Sequence, residues 1–308
     1  MASRPVKLVV RPRGKPIRNL PEETTLALLD STADLYKRIA ESSGTSVHRL
    51  RITKGSDGSL IPNSKGVTID RTGLRDQSKI DVKDLGPQIA WRTVFIVEYL
   101  GPLLIHPLIY YLRSYIYRLP LLNQSPSSLQ TLSLILISLH FLKREFETIF
   151  IHRFSLATMP VLNIFKNSAH YWLLAGLNIA YWTYSPSSPT AKPANPLLTY
   201  AGIALFAIGE LLNLNTHVVL RNLRSSGGTE RGIPHGLGFD WVTCPNYLFE
   251  TMAWVGIWMV NRSWSTGFFA VVAVAQMAAW AKKKEKKYRS EFGDRYKRKR
   301  YAILPGIY

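Results

Sequence analysis

The most constraining feature of this sequence is where its apolar residues lie. The first 85 residues are polar, whereas long hydrophobic segments dominate from about residue 89 to residue 281. Several of these segments approach the length of about 20 residues that an α-helix needs to cross the hydrocarbon core of a bilayer. The sequence therefore predicts a soluble N-terminal domain over residues 1–86 and a membrane domain with a basic tail over residues 87–308.

The membrane domain is predicted to be an α-helical bundle that crosses the bilayer six times, or seven times if one long segment is divided. The predicted spans are 89–112, 128–151, 169–184, 197–214, 247–260 and 265–281. The chain carries 39 Lys and Arg against 20 Asp and Glu, and the basic residues flank the apolar segments, as they do in cytoplasmic loops. We therefore expect both termini in the cytosol and contacts with anionic membrane lipids.

Composition also excludes several classes of protein. A net charge of +19 suits nucleic acid, but an aromatic and basic RNA platform needs no hydrophobic spans, so no nucleic acid partner is expected. The single cysteine, Cys244, excludes an intramolecular disulfide and gives no support for structural zinc, so no metal site is predicted. Residues 1–19 contain no apolar core of the length that a signal peptide requires.

The N-terminal domain is predicted to have an α+β fold. A helix that Thr24 or Thr25 caps is expected to end at Gly44, because apolar residues before that glycine follow helical spacing. The strands are predicted at 7–13, 15–20, 50–53, 67–69 and 80–82. This order of elements resembles the ubiquitin-like β-grasp fold, and the alternative is a generic small α+β domain.

Charged residues enter the second predicted span abruptly. Lys143 and Glu147 are four residues apart, so they can pair on one face of a helix. Charged side chains in a span are often functional when they face the interior of a bundle. The alternative is that the helix leaves the membrane at Lys143 and that the charges are solvated.

A second polar region, residues 213–250, lies between apolar segments. Its arginines Arg221, Arg224 and Arg231 accompany paired glycines, and guanidinium groups with a glycine-rich backbone can bind phosphate. A basic cytosolic connection is the alternative. Pro245 suits the first turn of a helix, which would place Asn246 and Glu250 on one face.

Tyr247 lies on the same helical turn as Asn246. A tyrosine at a membrane boundary is usually an interfacial aromatic residue. If it is buried beside a cation, however, its phenol can serve as a general acid.

Three parts of the chain together resemble the trans-2-enoyl-CoA reductases of very-long-chain fatty acid elongation, within the steroid 5α-reductase superfamily. They are HFLKREFETIFIHRFSLATMP with the following NIFKNSAHYW, the region 213–250, and the tail YRSEFGDRYKRKRYAILP. The resemblance covers most of residues 89–308. An N-terminal ubiquitin-like domain is also a feature of that subfamily.

The resemblance implies an NADPH site. The superfamily motif for the cofactor's phosphates and ribose is met by Asn213, Leu220, Arg221, Leu223 and Arg224, and His217 stands at its usually acidic position. A second motif of the superfamily is met by residues in 233–250, and the resemblance places Asn246 at the nicotinamide amide. The matching residues are Ile233, Pro234, Gly236, Phe239, Asn246, Tyr247 and Glu250. The pattern expected at the adenosine end is met by Tyr288, Phe292, Tyr296 and Arg300. In the enoyl reductase branch, Lys143 and Tyr247 are the residues that look catalytic.

The activity that the resemblance implies is reduction of a long-chain trans-2-enoyl-CoA by NADPH in the endoplasmic reticulum membrane. The expected partners are the other elongation enzymes, namely the condensing enzyme, the ketoreductase and the dehydratase. Because the thioester polarises the double bond, hydride can add at C3, while Tyr247 supplies a proton and Lys143 stabilises negative charge.

Three other functions remain open at this point. The nearest is reduction of a steroid or polyprenol enone, although the block 143–154 favours a CoA substrate. The second is an integral membrane methyltransferase that uses S-adenosylmethionine. The third is a membrane-anchored ubiquitin-like adaptor without catalytic activity, which would leave the interior polar residues unexplained.

Overall fold

The computed structural model describes residues 5–118, 125–154, 157–224, 232–296 and 301–307. The chain forms two compact units. The N-terminal unit comprises Met1–Ala90 and Ala157–Val161, and the helical unit comprises Trp91–Leu156 and Leu162–Tyr308.

The N-terminal unit contains a mixed four-stranded sheet and one α-helix. The strands are β1 (Pro5–Pro12), β2 (Glu23–Ala27), β3 (Leu50–Lys54) and β4 (Lys79–Asp84), and the helix is α1 (Thr32–Ser43). The spatial order is β2-β1-β4-β3, in which β1 and β4 are parallel and the other pairs are antiparallel. A short antiparallel pair, β5 (Gln88–Ala90) and β6 (Thr158–Pro160), completes the unit.

Side-chain alternation explains how α1 covers this sheet. Along β1, Val6, Leu8 and Val10 point inward while the residues between them are more exposed, as the two-residue period of a strand requires. Leu35 and Ile39, four residues apart on α1, are fully buried in the same core.

Two sets of polar contacts help to hold this unit together. The hydroxyl of Tyr36 donates to Ile61 O at 2.8 Å and accepts from Ile52 N at 3.1 Å, and burial raises the pKa of the Tyr36 phenol. The Arg49 guanidinium hydrogen-bonds both oxygens of Asp84, at 3.1 Å and 2.5 Å. This bidentate contact holds the pKa of the Asp84 carboxyl below its usual value.

The structure corrects the predicted start of the helix. Thr24 and Thr25 lie in β2, and Ser31 caps α1 in their place. Ser31 Oγ accepts from Asp34 N at 3.2 Å and Asp34 Oδ2 accepts from Ser31 N at 3.0 Å, so the reciprocal capping box decides where the helix begins. The predicted end is confirmed, because Gly44 adopts the left-handed conformation at φ 62°.

Two of the predicted strands are also corrected. The segment 15–20 is not a strand, since β1 pairs with β2 further along the chain. The segment 67–69 contributes only an isolated bridge between Thr68 and Ser31. The strands predicted at 7–13, 50–53 and 80–82 correspond to β1, β3 and β4.

The helical unit is built from eight α-helices in its described part. They are α2 (Trp91–Tyr111), α3 (Arg113–Ile116), α4 (Ser128–Phe146), α5 (Asn163–Ala169), α6 (Ile179–Tyr184), α7 (Pro196–Asn222), α8 (Pro245–Asn261) and α9 (Trp264–Phe292). A π-helical turn at Glu147–Ile151 extends α4, and another at His170–Asn178 joins α5 to α6.

Three of the described helices are long and apolar enough to cross a membrane, namely Trp91–Tyr111, Pro196–Asn222 and Trp264–Tyr296. The chain is therefore a mostly helical membrane protein, and the count of six spans remains a prediction. Two predicted spans prove to be longer helices. α7 continues eight residues beyond the predicted end at 214, so that His217 and Arg221 also lie within a helix, and α9 continues through the lysine run.

Glycine residues allow α7 and α8 to pack with their backbones almost in contact. A β-carbon added at Gly256 would lie 2.6 Å from both Gly202 O and Phe206 N, and one added at Gly209 would lie 2.7 Å from Ala253 N. Small residues are the usual means by which membrane helices approach this closely. We refer to Gly202, Gly209 and Gly256 as the glycine seam.

We predict that Gly256→Ala lowers the thermal unfolding temperature of the purified protein. In an open helix this change is favourable by about 1 kcal/mol, but here the added methyl group meets backbone atoms that cannot rotate away. The matched control is Ala207→Val on the exposed face of α7, which should leave the unfolding temperature nearly unchanged. An equal or higher unfolding temperature for Gly256→Ala would show that the two helices can separate at no cost.

Candidate active site

Helices α4, α7 and α8 place a group of ionisable and amide side chains inside the helical unit. Along α4 and the π-helical turn that extends it, His140, Lys143 and Glu147 are spaced by three and four residues and therefore share one face, with Arg144 beside Lys143. None of the charged side chains in the group exposes more than 15% of its surface. We call this group the buried charge cluster, and its members are His140, Lys143, Arg144, Glu147, Glu210, Asn213 and Glu250.

The ammonium group of Lys143 lies at the centre of the cluster. It donates a hydrogen bond to Asn213 Oδ1 at 2.5 Å. It also lies 3.1 Å from Glu147 Oε1 and 3.0 Å from Glu210 Oε2. The predicted pair of Lys143 and Glu147 is therefore present. One hydrogen bond and two ion-pair contacts thus join Lys143 to one amide and two carboxylates.

Asn213 joins Lys143 on α4 to the first turns of α8. Its amide nitrogen donates to Asn246 O at 2.8 Å and to Glu250 Oε2 at 3.2 Å. The side chain is 1% exposed, so all three contacts are shielded from water. The contact with Asn246 goes through its backbone oxygen, so the prediction that the Asn246 and Glu250 side chains share a face of the helix stays a prediction.

His140 links the remaining carboxylates of the cluster. Its Nδ1 lies 2.6 Å from Glu210 Oε1 and its Nε2 lies 3.3 Å from Glu250 Oε1. The imidazole is 1% exposed and packs edge-on against Trp254. The contacts of Lys143, Glu210, His140, Glu250 and Asn213 thereby close into a ring.

Arg144 anchors the other side of the cluster. Its guanidinium donates to Glu147 Oε2 at 2.8 Å and to the Tyr99 hydroxyl at 2.8 Å. Its central carbon also lies 5.0 Å from the centre of the Tyr99 ring, a cation–π distance. Arg144 therefore fastens α4 to α2, which carries Tyr99.

His217, a predicted cofactor residue, lies against the cluster. Its Nδ1 is 3.0 Å from Glu147 Oε2, and its ring meets that of His152 with centroids 4.7 Å apart. Glu147, His152 and His217 have ligand atoms within 4.8 Å of one another. A metal ion there would compete for Glu147 with Lys143 and Arg144, whose charges oppose it.

Tyr247, on the first turn of α8, packs towards α9. Its ring packs near Trp280 of α9, with centroids 6.4 Å apart, and borders the small apolar core of Cys244, Met277 and Ala281. Within the described part of the chain, no hydrogen bond or ion pair joins Tyr247 to Lys143. The structure thus brings Lys143 to Asn213 and not directly to the phenol.

The predicted arginines lie at the end of α7. Arg224 Nη1 donates to Arg153 O at 2.6 Å, and Arg153 Nη1 donates to the carbonyl oxygens of Arg224 and Arg221. These contacts fasten the end of α7 to the segment that follows the π-helical turn. Arg231 and the paired glycines 227 and 228 lie outside the described residues.

The C-terminal aromatic residues approach the segment that leads into α8. The hydroxyls of Tyr296 and Thr243 are 2.9 Å apart, and the Tyr288 and Tyr296 rings stack edge-on at 5.5 Å. Thr243 N donates to Tyr301 O at 2.7 Å. The tail therefore lies beside the residues that precede Asn246 and Tyr247. Arg300 lies outside the described residues.

Two members of the cluster, His140 and Glu210, were not singled out by sequence reasoning. A signal for both exists, since each is an ionisable residue within an apolar helix. His140 precedes Lys143 by three residues, and Glu210 precedes Asn213 by three. Helical spacing alone could therefore have placed each of them beside a residue that was already under consideration.

Comparison with known proteins relates this arrangement to a class of oxidoreductases. Residues 157–308 match the model of the family described as 3-oxo-5-alpha-steroid 4-dehydrogenase. Over 302 residues the chain is 42% identical to a provisionally named enoyl reductase of Schizosaccharomyces pombe. The aligned region covers 97% of this chain and 99% of the relative.

Two further relatives are more specific in name. The chain is 39% identical over 281 residues to the very-long-chain enoyl-CoA reductase of Dictyostelium discoideum. The aligned region covers 89% of this chain and 91% of the relative. It is 31% identical over 253 residues to the human trans-2,3-enoyl-CoA reductase-like protein, and the aligned region covers 78% of this chain and 67% of the relative. The chain belongs to the very-long-chain enoyl-CoA reductase family, which confirms the resemblance found in the sequence.

We predict that Lys143→Met destabilises the protein strongly. The change leaves Glu210 without its contact to a permanently charged side chain, and removing one partner of a buried ion pair costs about 3–5 kcal/mol. The thermal unfolding temperature should fall by about 5 °C or more. Lys286→Met, at an exposed position of α9, is the control and should cause little change. A Lys143→Met protein as stable as the control would show that the cluster is solvated.

Proposed function

We propose that this protein reduces long-chain trans-2-enoyl-CoA to the saturated acyl-CoA, with NADPH as reductant, as the last step of very-long-chain fatty acid elongation. The observation that carries the proposal is the similarity over nearly the whole chain to proteins named enoyl-CoA reductases. The buried charge cluster supports it, because an apolar bundle retains so many charges mainly where they serve a site.

Asn246 fits the nicotinamide end of NADPH. Its Oδ1 is buried without a hydrogen-bond partner among the described residues, and an unsatisfied buried acceptor of this kind is costly unless a ligand donates to it. The carboxamide of nicotinamide offers such a donor. Asn213 and Glu250 stand beside Asn246 and would help to hold the same group.

The remaining cofactor residues suit the charged part of a dinucleotide. Arg221 and Arg224 at the end of α7 can hold phosphate, since guanidinium groups bind it bidentately. We assign Tyr288 and Tyr296 on the C-terminal side to the adenosine end of the cofactor, where Arg300 would add a positive charge. His217 would contribute from α7, although its imidazole already lies against Glu147.

The reaction adds one hydride, one proton and no other atoms to the substrate. When bound, NADPH supplies the hydride, which adds to C3 of the enoyl group. We assign Tyr247 as the acid that protonates C2, because its phenol lies at the start of α8, next to Asn246. Lys143 supplies positive charge to the site, and Asn213 lies between its ammonium group and α8.

The cellular setting is part of the proposal. We infer a protein of six or seven spans in the endoplasmic reticulum, with both termini in the cytosol, that works with the condensing enzyme, ketoreductase and dehydratase. We also infer that the N-terminal unit has the β-grasp, ubiquitin-like fold. The parallel pairing of its first and last long strands, each with an antiparallel neighbour, supports that inference.

We predict that Tyr247→Phe abolishes turnover and leaves NADPH binding nearly unchanged. A general acid contributes roughly 10²- to 10⁴-fold to the rate, so kcat should fall at least about 100-fold. The assay is NADPH oxidation with a long-chain trans-2-enoyl-CoA in detergent, alongside a fluorescence titration of NADPH. Tyr200→Phe, at an exposed tyrosine of α7, is the matched control. Turnover by Tyr247→Phe at the rate of this control would remove Tyr247 from the mechanism.

A steroid enone is the second candidate substrate, because residues 157–308 match the 3-oxo-5-alpha-steroid 4-dehydrogenase family. The same hydride and proton would reduce its conjugated double bond. Reduction of a steroid 4-en-3-one by the purified protein, without reduction of an enoyl-CoA, would favour this second function over the first.

A further inference from the structure

His140 occupies a position that a neutral imidazole does not suit. Both ring nitrogens face carboxylate oxygens, at 2.6 Å from Glu210 and 3.3 Å from Glu250. A neutral imidazole has one N–H group and one lone pair, so one nitrogen would direct its lone pair at a carboxylate. Only the imidazolium form donates from both nitrogens at once.

The charges in the cluster lead to the same conclusion. Among the described residues, the ion pairs of the cluster include three carboxylates, those of Glu147, Glu210 and Glu250, and two permanently charged cations, Lys143 and Arg144. A positive charge on one histidine balances the set, and His140 faces two carboxylates whereas His217 faces one, that of Glu147. An unbalanced charge in a buried site is strongly unfavourable, so the imidazolium form fits both the hydrogen-bond donors and the net charge.

Glu250 depends on this histidine more than the other carboxylates do. Glu147 meets Lys143 and Arg144, and Glu210 meets Lys143 as well as His140. In the described part of the chain, His140 is the one basic side chain with an ion-pair contact within 4 Å of the Glu250 carboxylate. The other oxygen of Glu250 accepts from Asn213 at 3.2 Å.

We propose that His140 is a positioning residue of the cofactor site, which as an imidazolium between Glu210 and Glu250 keeps Glu250 ionised and directed at Asn213. The role rests on the proposed function, in which Asn213, Asn246 and Glu250 hold the nicotinamide end of NADPH. Glu210 fixes the ring from the opposite side through the shorter of the two contacts. His140 touches neither substrate nor reacting atoms in this account, and it acts through Glu250.

The test measures the dissociation constant of NADPH by fluorescence titration for the full-length protein in detergent, with thermal unfolding recorded in parallel. His140→Gln should weaken NADPH binding about 10-fold, because Glu250 loses the basic group nearest to it and coupling between sites is typically about 5- to 150-fold. The matched control is His106→Gln. His106 is also fully buried, but its ring nitrogens meet the neutral oxygens of Tyr184 and Ala175. This control should lower the unfolding temperature and leave NADPH affinity unchanged.

A double-mutant cycle with Glu250→Gln separates positioning from general damage to the fold. If His140 acts through Glu250, then His140→Gln should have almost no further effect in the Glu250→Gln background. The dissociation constant should change by no more than about twofold, which is the usual scatter of such mutant cycles. Should His140→Gln fail to fold, Glu210→Gln tests the same contact, since it removes the carboxylate that fixes the imidazole. It should weaken NADPH binding in the same direction.

The outcomes distinguish this inference from the proposed function. Wild-type affinity in His140→Gln, or an equally large effect of that change in the Glu250→Gln background, overturns the positioning role. Wild-type affinity in Glu210→Gln overturns it as well. Wild-type protein that binds NADPH but reduces no enoyl-CoA overturns the proposed function alone, and wild-type protein that binds no NADPH overturns both.

Discussion

The close approach of α7 and α8 through the glycine seam is the constraint on which the site depends. Asn213 has a short side chain, and it reaches Asn246 O and Glu250 only because the two helix backbones nearly touch at Gly202, Gly209 and Gly256. Bulkier residues in the seam would separate the helices and break these contacts. The hydrogen bonds that connect Lys143 through Asn213 to α8 would then be lost.

The buried charge cluster follows from the same packing. Ionised groups inside an apolar bundle are tolerated when each has a partner, and here α4, α7 and α8 each contribute part of the set. No single helix is self-sufficient, since Glu210 and Glu250 find their cations on α4. The cluster therefore holds the three helices in one arrangement and also builds the site.

Some features of both units could be predicted from the sequence, because helical spacing and the conformational freedom of glycine are local signals. The Lys143–Glu147 pair follows from four-residue spacing and is present at 3.1 Å. The end of α1 at Gly44 follows from the backbone freedom of glycine. In contrast, Ser31 displaced Thr24 and Thr25 as the helix cap, because pairing with β1 placed both threonines in a strand. Strand pairing is a non-local interaction that periodicity does not report.

The arrangement of the site was less predictable. The sequence indicated Lys143, Asn213, Asn246 and Glu250 separately, but the fact that Lys143 meets Asn213 and not Tyr247 depends on how the helices pack. His140 and Glu210 escaped notice because each looks like an isolated polar residue in an apolar helix. Their significance lies in facing each other at 2.6 Å across two helices that are distant in sequence.

The most direct test of the account is the fate of the transferred hydrogen. Purified protein would be given NADPH that carries deuterium at the transferable C4 position, with a long-chain trans-2-enoyl-CoA, and the product would be analysed by mass spectrometry. The account predicts a saturated acyl-CoA with one deuterium at C3 and a solvent hydrogen at C2. Deuterium at C2, or no saturated product from protein that binds NADPH, would contradict it.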